Sequence, residues 1–148
     1  MEKSAVIFIG IQASGKSTFY RTYLSNTHVH INLDTLKTRH REQETIQSCF
    51  TNGRSFAIDN TNPTREDRAR YIIPAKAEGY RLIGYFFESR VKECIARNQT
   101  REGKACVPSC AIAATSNKLE LPSFDEGFDE LYFVRISSDE FSVEEWRE

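Results

Sequence analysis

Ala5-Val6-Ile7-Phe8-Ile9-Gly10-Ile11-Gln12-Ala13-Ser14-Gly15-Lys16-Ser17-Thr18 is the stretch from which the fold can be read. An apolar, β-branched run ends at a glycine, and eight residues from Gly10 to Ser17 fit G-x-x-x-x-G-K-[ST]. The two glycines let the backbone curl so that successive N–H groups face one anion, and a helix opening near Lys16 adds its positive end. Such a match needs a strand before it and a helix after it, and both are present in the pattern. Gly10, Ala13, Ser14, Gly15, Lys16, Ser17 and Thr18 are therefore the expected phosphate-binding set, with Lys16 reaching the outer phosphates of ATP and Ser17 a ligand for Mg2+.

Outward from this loop, apolar stretches alternate with helix-like ones. That order predicts an α/β fold, a parallel sheet flanked by helices, in one domain of 148 residues. Strands are expected over about 4–9, 29–33, 55–58, 80–87 and 131–136, the last followed by an acidic tail carrying Trp146. Helices are expected from Gly15 to about Leu24, from Thr35 to about Phe50, and from Thr64, which is placed to cap, to Gly79. Pro74 should kink or split that third helix. Val91 to about Thr100 and a segment opening at Pro108 read as two further helices.

Twenty basic residues against 21 acidic ones give a formal charge of −1, which excludes a global basic field for nucleic acid. The amino-terminal apolar segment is too short to span a bilayer and no signal-peptide pattern is seen, so an intracellular protein, cytoplasmic or nuclear, is expected. Cys49, Cys94, Cys106 and Cys110 have no zinc-type pairing and read as packing residues.

Two carboxylates stand at strand ends. In open parallel sheets ligands bind beyond the carboxyl ends of the strands, so Asp34 and Asp59 should both approach the phosphates. Asp59 reads as a Walker-B aspartate for Mg2+, or as a turn aspartate. Asp34 reads as a base for an acceptor hydroxyl, or as a helix N-cap. On one helix from Asp34, Lys37 and Arg41 would share its face and could hold an anionic substrate. The alternative is a solvated face on which Glu42 and Glu44 pair with those cations. Arg97 and Arg101, four apart, could close over the transferred phosphoryl group or could end a basic helix. Asn117-Lys118-Leu119-Glu120 imitates the guanine-reading N-K-x-D but ends in Glu, and no switch motif follows the third strand.

Several stretches then resemble one family. Gly10 to Thr18, Val29-His30-Ile31-Asn32-Leu33-Asp34-Thr35-Leu36, Ala57-Ile58-Asp59-Asn60-Thr61-Asn62-Pro63 and Arg68-Ala69-Arg70-Tyr71 are similar to the 5′-kinase domain of the polynucleotide kinase/phosphatase family. The likeness runs in order over about residues 5 to 135. It implies a P-loop kinase fold with a small helical lid near residues 97–118. It also implies ATP-dependent phosphorylation of a 5′-hydroxyl end of DNA or RNA, with Asp34 as base, Lys16 and Ser17 serving ATP and Mg2+, and Arg97 and Arg101 as lid arginines. Leu33 stands where members commonly carry arginine, and Lys37 where some do; lysine lacks the bidentate fork of arginine. The D-x-D-G-[TV] signature of the family's phosphatase half is absent from these residues, so no 3′-phosphatase activity is expected. Two other readings stay open: a kinase of a small hydroxylated metabolite or nucleoside, and a non-catalytic ATP-gated binding module.

Overall fold

The computed structural model describes residues 2–100, 108–137 and 140–147. Arg101, Cys106 and the middle of the expected lid lie outside the described residues. Six strands form one sheet in the order β2-β3-β1-β4-β5-β6. These are β1 (Ser4–Ile9), β2 (Val29–Ile31), β3 (Phe56–Ile58), β4 (Arg81–Phe87), β5 (Glu130–Ser137) and β6 (Glu140–Glu145). All pairings are parallel except β5 with β6. The helices are α1 (Lys16–Tyr23), α2 (Leu33–Leu36), α3 (Arg39–Asn52), α4 (Arg65–Ala77), α5 (Val91–Asn98) and α6 (Ser109–Lys118).

Why β1 lies in the middle follows from its residues. Ala5 to Ile9 are each 1% exposed or less, so the strand must be covered on both faces. Alternation sends Ala5, Ile7 and Ile9 to one layer, where α3 and α4 supply Cys49, Tyr71, Ile72 and Ala75. Val6 and Phe8 go to the other layer, against Phe19 and Tyr20 of α1. From β1 the chain builds β2 and β3 on one side and then crosses to β4 and β5 on the other, so the carboxyl end of β1 lies where strand order reverses. The glycine-rich loop begins there.

Three expectations are corrected. The helix expected over 35–50 is two helices, α2 and α3, broken at Lys37, whose φ is 77°. The Thr38 hydroxyl accepts the Arg41 N–H at 3.1 Å and restarts the helix, so Asp34, Lys37 and Arg41 do not share a helical face. Glu42 pairs with Arg39 and Glu44 with His40, instead of with Lys37 and Arg41.

Pro74 does not split its helix, which runs unbroken from Arg65 to Ala77. Both Pro74 and Arg70, whose carbonyl loses its helical partner, lie on the exposed side, where water can satisfy that carbonyl. The acidic tail is β6, an edge strand held by β5, with Trp146 packed 5.3 Å from Phe86. Thr64 does cap α4, accepting the Asp67 N–H at 3.1 Å. Phe19 and Tyr20 are core residues, whereas Tyr23 is 55% exposed. Cys49 and Cys94 are buried free thiols and Cys110 is exposed. Among the described residues, no helix is long and apolar enough to cross a membrane.

The packing carries an alkaline signature. Burial pushes the phenols of Tyr20, Tyr71, Tyr80 and Tyr85 above 10.0. Tyr132, donating to the Glu130 carboxylate, is pushed up to about 12. In the unfolded chain these phenols ionise near pH 10 while the folded chain keeps its protons. The unfolded state then binds fewer protons, and stability falls as pH rises above about 10. Burial also pushes the Cys49 and Cys94 thiols up from 9.0, so the melting temperature should begin to fall near about pH 9 and drop further beyond about pH 10; a flat profile through about pH 11 would contradict the assignment.

Candidate functional site

The loop after β1 is held in shape from both sides. Ala13 and Gly15 take positive φ of 62° and 99°, and such alternating left-handed turns bring successive N–H groups to one side of a loop. Glycine is required at position 15 by that φ of 99°, and an added Cβ would also push on Ile136 Cδ1 at 2.4 Å. The Gly10 N–H donates to the Thr61 carbonyl at 3.0 Å, and Asn62 Nδ2 donates to the Phe8 carbonyl at 2.8 Å. The Asp59-Asn60-Thr61-Asn62-Pro63 segment thus clamps the loop from the β3 side.

On the other side α5 and α6 close over the loop. Ile11, Ala13, Cys94 and Ile112 form a small buried cluster. Gln12 Nε2 donates to Thr115 Oγ1 at 3.0 Å, and Arg97 Nη1 donates to the Ala13 carbonyl at 2.8 Å. The Lys16 ammonium is buried within the loop, donating to the carbonyls of Gly10 (2.9 Å) and Ile11 (2.8 Å) and to Ser14 Oγ (3.3 Å). Thr18, the third residue of α1, is exposed.

Asp59 is 2% exposed and its Oδ2 takes two hydrogen bonds. Ser17 Oγ donates at 2.6 Å and His30 Nε2 at 2.7 Å. The His30 ring stacks on Tyr20 at 4.2 Å. His30 was not among the sequence candidates. Its place follows from strand pairing: it stands in register with Ala57, so it faces the same layer as Asp59, two residues beyond Ala57. The Ser17 hydroxyl and Asp59 carboxylate are hard oxygen donors converging at the start of α1, a pair that fits Mg2+, which keeps few protein ligands and several from phosphates and water. Among the described residues no group of three or more His, Cys, Asp or Glu is gathered as a metal site.

Asp34 lies in the first turn of α2, with its side chain exposed. It is not the N-cap; Asn32 is, accepting the Thr35 N–H at 3.2 Å. Asn32 Nδ2 donates to the Asp59 carbonyl, and the Leu33 N–H to Asn60 Oδ1 at 3.0 Å. These ties put the backbone of α2 at the same sheet edge as Asp59 and the phosphate loop. Lys37 and Arg41 are exposed; Arg41 lies beside Leu36, Glu44, Thr45 and Ser48 on an open surface.

A glycine-rich turn at the strand-order reversal, a buried lysine within it, and an aspartate joined to the serine that follows define a P-loop protein with the fold of the P-loop kinases. The match extends over residues 6–122 to the AAA domain family, and the chain belongs to that family. Two curated relatives are similar. One is a mimivirus protein (Acanthamoeba polyphaga mimivirus) named for a bifunctional polynucleotide phosphatase/kinase, 29% identical over 151 residues, covering 97% of this chain and 36% of that protein. The other is the bifunctional polynucleotide phosphatase/kinase of Schizosaccharomyces pombe (strain 972), 26% identical over 129 residues, covering 83% of this chain and 31% of that one. The chain therefore spans about a third of the length of each. In fold it is also similar to a sugar kinase from Janibacter sp. HTCC2649, with TM-score 0.67 and 16% identity over 90% of this chain and 85% of that one.

Proposed function

We propose that this chain is a polynucleotide 5′-hydroxyl kinase. It binds ATP at Gly10–Thr18 and moves the γ-phosphoryl group to the 5′-hydroxyl end of DNA or RNA. The observation that carries the reading is the pair of ties, Asn32 to Asp59 and Leu33 to Asn60, which support a single cleft shared by Asp34 and the loop. The two curated relatives named for polynucleotide phosphatase/kinase activity support the acceptor class.

In the reaction Asp34 accepts the proton of the 5′-hydroxyl as that oxygen bonds to the γ-phosphorus, the bond to the bridging oxygen breaks, and ADP leaves. Lys16 holds the phosphates, and Arg97, already over the loop at the Ala13 carbonyl, supplies positive charge to the transferred group. Ser17 and Asp59 would hold Mg2+, whose chemistry is to neutralise charge on the β- and γ-phosphates. Arg101 belongs to the same proposal as a second lid cation, and Lys37 and Arg41 as acceptor contacts from separate elements.

A second reading, transfer to a small hydroxylated metabolite or nucleoside, is favoured by one observation. With the helix broken at Lys37, Arg41 no longer lines up with Asp34, which weakens the case for a long anionic acceptor track. Incubation with γ-labelled ATP, Mg2+, 5′-hydroxyl oligonucleotides, free nucleosides and sugars separates the two. The polynucleotide reading expects label on oligonucleotides ahead of nucleosides, with affinity falling as salt rises. Label confined to a nucleoside or sugar would establish the second reading, and ATP binding with no acceptor labelled would leave only a binding module.

A further inference from the structure

One buried carboxylate has no part in the chemistry above. Glu42, in the first turn of α3, is 0% exposed, although its neighbours on that helix are mostly solvated. Its oxygens accept from Arg39 Nη1 at 3.0 Å, from Tyr71 Oη at 3.0 Å and from Asn60 Nδ2 at 3.0 Å. Arg39 Nη1 also reaches Tyr71 Oη at 2.7 Å, and Asn60 Nδ2 lies 3.2 Å from the same oxygen. Four side chains from α3, α4 and the loop after β3 are thereby locked together. The Arg39 side chain is half exposed (53%), so its charge pair with Glu42 adds little stability, but the three hydrogen bonds on the buried carboxylate fix its geometry.

What this cluster directs is Asn60. With its amide nitrogen fixed by Glu42 and Tyr71, its Oδ1 is turned to the Leu33 N–H at 3.0 Å, one residue before Asp34. Helix α2 has four residues, too few to hold an orientation by its own hydrogen bonds. Its attitude is imposed from outside, by Asn32 on the Asp59 carbonyl, by Asn60 on Leu33 and by Leu36 against the main core. We infer that Asn60, oriented by the buried Glu42 carboxylate, is the positioning residue that aims Asp34 at the acceptor hydroxyl. The inference rests on the reading of Asp34 as the base. Misplacing a catalytic group by about 1 Å can lower turnover about 10²-fold.

The test is a double-mutant cycle in the full chain, with a 5′-hydroxyl oligonucleotide and γ-labelled ATP. Asn60→Ala and Glu42→Gln should each lower kcat by about 10- to 100-fold while KM for ATP stays within about threefold. In an Asp34→Asn background either change should lower turnover by less than about threefold further, because there is no base left to aim. Glu42→Gln keeps the shape of the site, so it reports if Asn60→Ala does not fold. A full loss repeated in the Asp34→Asn background, folded single variants with unchanged kcat, or failure of both to fold would overturn the inference while leaving Asp34 as base. Full turnover by Asp34→Asn alone would instead remove the base and this inference with it.

Discussion

Asp34→Asn is expected to lower turnover by about 10²- to 10⁴-fold while leaving ATP affinity within a small factor of the parent. Asparagine matches the volume of aspartate yet cannot take a proton. The proposed phosphate contacts lie elsewhere, on Gly10 to Thr18, so nucleotide binding has no reason to change. The fold has little reason to change either. Asp34 is exposed and the N-cap of its helix is Asn32, so what is lost is one favourable charge at a helix start, worth about 0.3–1 kcal/mol. Lys16→Ala offers the contrast. That ammonium sits inside the loop on the Gly10 and Ile11 carbonyls, and its removal should weaken ATP binding and turnover together. The measurement is kcat and KM for ATP with a labelled acceptor, beside a direct ATP-binding titration. Turnover near the parent level in folded Asp34→Asn protein would mean that another group accepts the proton.

The parts of this molecule that depend on neighbours in sequence were legible there. The phosphate loop is a local spacing of glycines, lysine and serine after a strand, and its place at the carboxyl edge of a parallel sheet follows from the alternation of elements; the strand order does not. Asp59 follows the last residue of β3 directly, as its place after an apolar run suggests, and meets Ser17 at 2.6 Å. Glu42 did not read as a buried group, because its partners Asn60 and Tyr71 stand 18 and 29 positions away and no helix pattern announces them. The break at Lys37 was half visible: Thr38 is a good cap residue, but a lysine at positive φ is imposed by the surrounding fold, not chosen by local preference. His30 required knowing that β2 pairs with β3 in parallel. Strand β6 hid in an acidic tail because edge strands carry charge, and backbone pairing with β5 rather than apolar alternation holds it.

Arg68 is the largest fully buried side chain, and its replacement is expected to be the most destabilising single change away from the loop itself. Its guanidinium forks onto Glu126 with Nε to Oε1 at 2.8 Å and Nη2 to Oε2 at 3.1 Å. Nη1 meets the carbonyls of Asn62 at 3.0 Å, Pro63 at 3.2 Å and Glu120 at 3.1 Å. One arginine thus joins α4, the clamp on the phosphate loop, the chain after α6, and the turn at Phe124–Glu126, where Glu126 is only 4% exposed. Arg68→Met fills most of the volume but takes the guanidinium from the buried Glu126 carboxylate, which keeps the Ser123 N–H at 3.0 Å, and one donor from each of three carbonyls, of which Pro63 keeps the Glu120 N–H at 2.7 Å. Breaking a buried pair from one side costs about 3–5 kcal/mol, against a total stability of about 5–15 kcal/mol for a domain. At about 2–4 °C per kcal/mol, the melting temperature should fall by roughly 6–20 °C. ATP affinity should weaken as well, because the Asn62 and Pro63 carbonyls belong to the segment that anchors Gly10 and Phe8. Glu126→Gln keeps an acceptor for Arg68 and should lower the melting temperature by clearly less than Arg68→Met. If Arg68→Met melts within about 3 °C of the parent, Arg68 is not the tie between the clamp and the rest of the fold, and water must reach Glu126.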